Sequence, residues 1–315
     1  MARFRPTASL SRSFIVIVVC DESKVGAEAC MKSVEMAGPL MMIGGAEDHE
    51  GDCKILREFV RLAGGAEARL VVIAVASQKP MQTASAYVEV FNRLGCRDVQ
   101  RLNVYRRDDA NAKSALQAVE GATGVFFTGG SQVRITRVLG GTKVDTLLHR
   151  KHEEGLVLAG TSAGAAMMST IMILGGMPET AFRVGIVDLG PGMEFISGVL
   201  IDQHFEERGR LRRLLQAVAQ YPRDLGLGID ENTALVIQDG VGTVLGEGSV
   251  TIIDAGDLSY TDLPGLKKND ILTLCGVKIH ILAEGYRFDL RNRMPLVEGD
   301  SVETIKIKET AETLP

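Results

Sequence analysis

Residues Gly160-Thr161-Ser162-Ala163-Gly164 form a Gly-x-Ser-x-Gly pentad, preceded by the apolar run Leu156-Val157-Leu158-Ala159 and followed by Ala165-Ala166-Met167-Met168. An apolar run, a serine between glycines and a run of helix formers predict a strand, a sharp turn and a helix. On such a turn the serine is lifted off the end of a sheet in a strained backbone, and only glycine-sized neighbours fit beside it. Ser162 is then presented as a nucleophile, and the N–H of Ala163 becomes one donor for an oxyanion. Glycine and serine also populate ordinary turns, so the pentad alone leaves a plain loop open. The flanking strand and helix favour the nucleophile.

A serine hydroxyl attacks poorly at neutral pH unless a base takes its proton. The chain has five histidines. His149 and His152 lie in a charged segment that reads as a solvated helix face, and His280 lies in an alternating, strand-like run. His49 follows a glycine turn near the start of a helix pattern. His204 ends the run Gly198-Val199-Leu200-Ile201-Asp202-Gln203 and precedes a helix pattern rich in arginine. A histidine at the polar mouth of a strand is where active-site loops are carried. Asp202 shares a face with His204 on an extended segment and could orient it. Glu231, at the carboxylate-rich end of Gly226-Leu227-Gly228-Ile229-Asp230-Glu231, is the other candidate for that role.

Gly160 to Ala165, Asp202-Gln203-His204-Phe205, the arginines Arg208, Arg210 and Arg213, and Gly228-Ile229-Asp230-Glu231-Asn232-Thr233-Ala234 together resemble the cyanophycinases. That family belongs to a larger group of serine peptidases that includes the aspartyl dipeptidase peptidase E. The resemblance runs from about residue 38 to about residue 289. It implies Ser162, His204 and Glu231 as nucleophile, base and orienting carboxylate, an order along the chain unlike that of α/β-hydrolases but compatible with a triad, which is defined by geometry. It implies Gly130, in the turn Thr128-Gly129-Gly130-Ser131-Gln132, as the second oxyanion donor beside Ala163; a plain helix-entry turn is the alternative. Gln132 is aligned with a glutamine of the substrate cleft, although Ser131 stands where an acidic residue is commoner.

The implied activity is that of an exopeptidase releasing β-Asp-Arg dipeptides from cyanophycin, a polyaspartate with arginine on each side chain. The segment from Arg208 to Arg213 holds four arginines. A charge run is often only a solvated helix face. Beside a catalytic base, guanidinium forks suit substrate carboxyls, so Arg208, Arg210 and Arg213 are expected to bind substrate, with Asp202, Gln203 and Gln132 meeting its guanidinium groups. Alternatives are an α-aspartyl or isoaspartyl dipeptidase, a non-catalytic binding module, and an amidotransferase-like hydrolase, against which Ser162 counts because that elbow carries cysteine. No metal or organic cofactor is implied, and a homodimer is expected from the resemblance.

The surrounding chain must position these residues. Its 315 residues, 45% hydrophobic and 24% charged, suit a soluble globular protein with a sizeable core. A net charge of -5 argues against a nucleic-acid partner. The cysteines Cys20, Cys30, Cys53, Cys96 and Cys275 are odd in number and widely spaced, which suggests reduced thiols and a cytoplasmic protein. Arg3, Arg5 and Arg12 ahead of the apolar run 14–20 imitate an export signal, but the run is short, lacks a small-residue cleavage site and cannot span a membrane. Export is the alternative.

Residues 1–37 read as an extension, 38–290 as one α/β peptidase domain and 291–315 as a tail. Strands at 39–43, 69–76, 99–104 and 124–127 alternate with helices starting at Ala46, at 81–94 and at 110–119. The expected fold is a doubly wound, mostly parallel sheet with helices on both faces. Gly44-Gly45 reads as a close strand-to-helix turn, and the glycine-rich 175–192 as a loop over the crevice. Short alternating runs at 234–238, 242–245, 250–254, 271–274 and 277–282 predict a β-rich C-terminal part.

Overall fold

The computed structural model describes residues 37–176 and 182–297. Strand β1 (Leu40–Ile43) leads to helix α1 (Lys54–Leu62), and β2 (Arg69–Ile73) to α2 (Pro80–Arg93). After β3 (Asp98–Arg101) come α3 (Lys113–Glu120), β4 (Gly124–Phe127), α4 (Gln132–Leu139) and α5 (Lys143–Glu153). Strand β5 (Val157–Thr161) ends at the serine turn, and α6 (Ala163–Ala166) follows it. The order β1-β5-β4-β2-β3 is parallel throughout, with Ile43 opposite Thr161 and Phe127 opposite Gly160.

Alternation of side chains sorts the core into two layers. Met41, Ile43, Leu70, Val72, Phe126 and Val157 pack against α1 and α2 through Leu56, Phe59 and Phe91. Leu40, Met42, Val71, Ile73, Val125 and Phe127 pack against α3, α4 and α5 through Val119, Ile135 and Leu148. Helices therefore cover both faces of the main sheet, as expected.

The chain then forms the antiparallel pair β6 (Ile171–Gly176) and β7 (Val187–Pro191), so the glycine-rich stretch is in part a ribbon; residues 177–181 lie outside the described residues. Strands β8 (Val199–Gln203) and β9 (Leu225–Ile229) flank α7 (Leu211–Gln220). Next, β10 (Thr233–Gln238) and β11 (Val241–Gly246) extend the main sheet antiparallel from β1, while β12 (Val250–Asp254) pairs with β9. Parallel β8 and β9, with β12 and the strand Lys278–Leu282, make a second, four-stranded sheet. The strands carrying His204 and Glu231 thus belong to a different sheet from the one carrying Ser162.

The sheet also runs past residue 290, because Met294–Leu296 pairs with Arg287–Asp289 at its edge. Residues 1–36 and 298–315, most of the expected extension and tail, lie outside the described residues. Among the described residues no helix is long and apolar enough to cross a membrane.

Two expected helices shrink. The serine helix is a single turn, because the carbonyls of Met167 and Met168 accept instead from the N–H groups of Met193 and Ile196. The helix expected from Ala46 starts only at Lys54. Asp48 is the reason: its Oδ1 accepts from the N–H groups of Glu50 and Gly51, and its Oδ2 from that of Cys53, folding the chain into a side-chain-capped loop. Those backbone bonds from Cys53, Gly51 and Glu50 hold the Asp48 carboxyl down at about 2. A depressed carboxyl contributes stability above its unfolded value that is lost as pH falls through the folded one. Asp48→Asn is therefore expected to be less stable than the wild type at neutral pH, and the urea midpoints of the two should converge as pH falls from 3.8 through about 2. A gap that stays constant over that range would contradict the role given to Asp48.

Candidate active site

Ser162 sits between β5 and α6 with φ 52° and ψ -112°. Both glycines of the pentad are required by contact. A Cβ on Gly160 would lie 2.2 Å from the carbonyl oxygen of Gly164, and one on Gly164 2.3 Å from that of Phe127. The serine is half-buried, its N–H donates to Ile43 O at 2.9 Å, and its Oγ meets Nε2 of His204 at 2.8 Å.

His204 follows β8 and is itself left-handed, at φ 48°. Three contacts fix it. Its N–H donates to Gly44 O at 2.8 Å; the next residue, Phe205, is buried over Gly228, where a Cβ would meet the ring at 2.6 Å; and Nδ1 lies 2.5 Å from Glu231 Oε1. Glu231, just beyond β9, receives its own backbone support from Glu207, whose Oε1 accepts from the Glu231 N–H at 3.0 Å. Asn232 donates its N–H to Gly45 O at 2.8 Å, and its side-chain oxygen accepts from Asp48 N at 2.9 Å. Ser162, His204 and Glu231 therefore form one hydrogen-bonded chain from three strand ends.

Gly44 and Gly45 are more than the tight turn expected of them. A Cβ on Gly44 would lie 1.9 Å from the Asp230 carbonyl oxygen, and one on Gly45, at φ +112°, 2.3 Å from Cε1 of the His204 ring. Any larger residue would occupy the space of the imidazole. The glycine pair was legible in the sequence as a turn, but its partner was not.

The Thr128-Gly129-Gly130 turn lies against the serine: a Cβ on Gly129 would be 3.4 Å from Ser162 Cβ. Gly130, at φ +139°, packs so closely on Ala76 that a Cβ would fall 2.3 Å from its carbonyl oxygen. Ala163 is the first residue of α6, and a first-turn N–H has no acceptor within its helix. The Gly129 backbone and the start of α6 thus lie beside the serine. A cavity of about 570 Å³ opens here, walled by Ser162, His204, Gly45, Gly129, Glu47 and Tyr87.

The polar residues expected to meet substrate are placed unevenly. Asp202 is only 1% exposed. It does not orient His204; its Oδ2 accepts from Arg213 Nε at 2.8 Å and its Oδ1 from Arg213 Nη2 and, at 3.3 Å, from Arg210 Nη1. Arg213 is buried with it. Gln203 is buried too, and both its backbone oxygen and its Oε1 accept from Arg210 Nη1. Burial lowers the Arg210 guanidinium to about 10 in spite of Asp202. Gln132 donates through Nε2 to the carbonyls of Ile173 at 2.8 Å and Leu174 at 3.1 Å, pinning β6. Arg208 is exposed. Sequence alternation put Asp202 and Gln203 near the site, yet it could not show that internal arginines already occupy them.

Among the described residues no group of three or more His, Cys, Asp or Glu is arranged to hold a metal ion. The arrangement can activate an alcohol for attack on a carbonyl.

Residues 40–245 match the model of peptidase family S51. A cyanophycinase of Trichormus variabilis is 38% identical over 273 residues, covering 84% of this chain and 92% of its own. One of Synechococcus elongatus is 40% identical over 256 residues, 81% of this chain and 80% of its own. The crystal structure of a peptidase from an acI-B1 actinobacterium shares the fold, with a TM-score of 0.57 at 21% identity over 81% of this chain and 98% of that one.

The close approach at Gly45 yields a direct check. In Gly45→Ala the new methyl is expected to displace the imidazole, so that a crystal structure of the variant shows the Ser162–His204 contact opened past hydrogen-bond range, about 3.5 Å or more. An undisturbed contact in the variant would count against the packing argument.

Proposed function

The chain belongs to peptidase family S51, and from that premise we propose that it is a serine-type exopeptidase that hydrolyses cyanophycin, multi-L-arginyl-poly-L-aspartate, to β-Asp-Arg dipeptides. The observation that carries the reading is the continuous contact from Ser162 Oγ through the His204 ring to Glu231, 2.8 Å and then 2.5 Å. The relatives named cyanophycinase, matched over more than four-fifths of this chain, support the choice of substrate.

Glu231 accepts a hydrogen bond from Nδ1–H of His204, which leaves Nε2 free to accept; that tautomer is assigned from the hydrogen bonds. His204 takes the Ser162 proton as Oγ attacks the scissile carbonyl. The strained turn is a nucleophile elbow in this account, and the N–H groups of Ala163 and Gly130 hold the oxyanion. His204 then gives its proton to the departing amine, leaving an ester on Ser162. Water, deprotonated by the same imidazole, releases the acyl group and restores the serine. Glu231 stabilises the imidazolium formed in both halves.

The arginines fall into two tiers in this reading. Arg213, locked on Asp202, and the Gln203 side chain form the support, while exposed Arg208 and the partly open Arg210 meet substrate carboxyls. Gln132 holds the ribbon edge of the cleft through its amide nitrogen. We read the protein as a cytoplasmic homodimer; the family resemblance supports the dimer, and free Cys53, Cys96 and Cys275 are compatible with a reducing compartment.

Incubation with purified cyanophycin, and separately with α-aspartyl and isoaspartyl dipeptides, tests the proposal. The wild type should release β-Asp-Arg from the polymer in preference to cleaving either dipeptide. Ser162→Ala should lower the rate by roughly a thousandfold or more, and Glu231→Gln by a similar order through the wrong tautomer. Preferential cleavage of the dipeptides would move the assignment to an aspartyl dipeptidase. No release above background by the wild type would leave a binding module, and equal measurable rates for wild type and Ser162→Ala would remove Ser162 as the nucleophile.

A further inference from the structure

Glu47 is a buried carboxylate for which the proposed acyl transfer has no use. Its Oε2 accepts from Thr161 Oγ1 at 2.6 Å, one residue before the serine, and its Oε1 from Tyr87 Oη at 2.5 Å. Burial opposes its ionisation, but the nearby His49 ring and the hydroxyls of Thr161 and Tyr87 outweigh that and keep the carboxyl below its ordinary range. Burial, and then Glu47 itself, push the Tyr87 hydroxyl well above its own. The group is therefore a carboxylate at neutral pH, held by two neutral hydroxyls, with the His49 Nε2 3.6 Å away. A buried charge lacking a full counter-charge is costly, on the order of several kcal/mol.

That charge borders the cavity that holds the chemistry, with its side chain only 2% exposed. Glu47, His49 and Tyr87 line the same cavity as Ser162 and His204. The rings of His49 and Tyr87 meet edge to face, with centroids 4.8 Å apart. A planar cation entering there would find a carboxylate for its fork and aromatic surface beside it. The acceptors expected from sequence for such a cation, Asp202 and Gln203, are already paired with the protein's own Arg210 and Arg213, whereas Glu47 has hydroxyl partners. We propose that Glu47, flanked by His49 and Tyr87, is the subsite that receives the guanidinium of the substrate arginine next to the bond being cut. The proposal rests on the cyanophycin reading and adds to it the residue that distinguishes arginine from a neutral side chain.

Binding tests it without turnover. The Ser162→Ala protein is titrated calorimetrically with β-Asp-Arg and with β-Asp-citrulline, which replaces the guanidinium by a neutral urea of the same shape. The arginine peptide should bind about tenfold or more tightly than the citrulline one, the usual worth of a charge-assisted hydrogen bond. Adding Glu47→Gln should bring the two affinities together, chiefly by weakening the arginine peptide, whereas Glu47→Asp, which keeps the charge, should retain part of the preference. A purely structural role for Glu47 would weaken both peptides alike, and that result overturns the proposal, as does failure of the arginine peptide to bind. A crystal structure of the Ser162→Ala protein with β-Asp-Arg serves even if Glu47→Gln does not fold: a guanidinium within hydrogen-bond reach of Glu47 supports the subsite, and one seated elsewhere overturns it. Because none of these readouts needs cleavage, an inactive wild type would strike the hydrolase reading while the guanidinium preference is judged separately.

Discussion

Between the end of β1 and the imidazole of His204 there is no room for a side chain. The backbone of Gly44-Gly45 passes so close to the ring and to the Asp230 carbonyl that even one carbon at either position would collide. The same two residues accept the N–H groups of His204 and Asn232, and Ile43 just before them accepts that of Ser162. Backbone bonds through one glycine pair thus join the main sheet, which carries the serine, to the second sheet, which carries the histidine and the glutamate. Backbone bonds leave little slack, so the three side chains meet without depending on one another to stay in place.

This junction is bought with strain. Ala46, Ser162, His204 and Asn232 all have positive φ angles, between 44° and 52°, which cost non-glycine residues roughly 1–3 kcal/mol each. Fully buried β1, β5 and β9 on either side, and Phe205 wedged over Gly228, supply the packing that holds them there. Strain gathered at one crevice and absorbed by a rigid scaffold is what a preorganised site requires. Charge is divided in a similar way. Arg213 and Arg210 are paired with Asp202, and Glu47 is a carboxylate held by hydroxyls.

Much of this was legible in the residues themselves. Val, Ile and Leu runs alternating with helical spacing gave the parallel sheet, because burial on both faces leaves a periodic trace in composition. Ser162, His204 and Glu231 could be named because glycine, histidine and carboxylate at strand ends are unusual, and the family resemblance ordered them. What stayed hidden depends on contacts between distant segments. Nothing local marks β8 and β9 as a separate sheet, since a strand's own pattern does not name its neighbour. Asp202 alternates correctly to face the site, yet Arg213, eleven residues on, takes its carboxylate. The Asp48 loop displaced a predicted helix start because a side chain supplied the hydrogen bonds that a helix would have formed. Glu47, adjacent to it, looked like a first-turn helix residue for the same reason.

The account stands on Ser162 becoming acylated because His204 is in contact with it. Rapid quenching of the wild-type protein with cyanophycin, followed by digestion and mass spectrometry of the peptide containing residue 162, measures this directly. An aspartyl-arginine adduct on Ser162, absent when His204 is replaced by alanine, is the predicted result. Release of β-Asp-Arg with no adduct at Ser162 under any quench time, or an adduct on another residue, would contradict it.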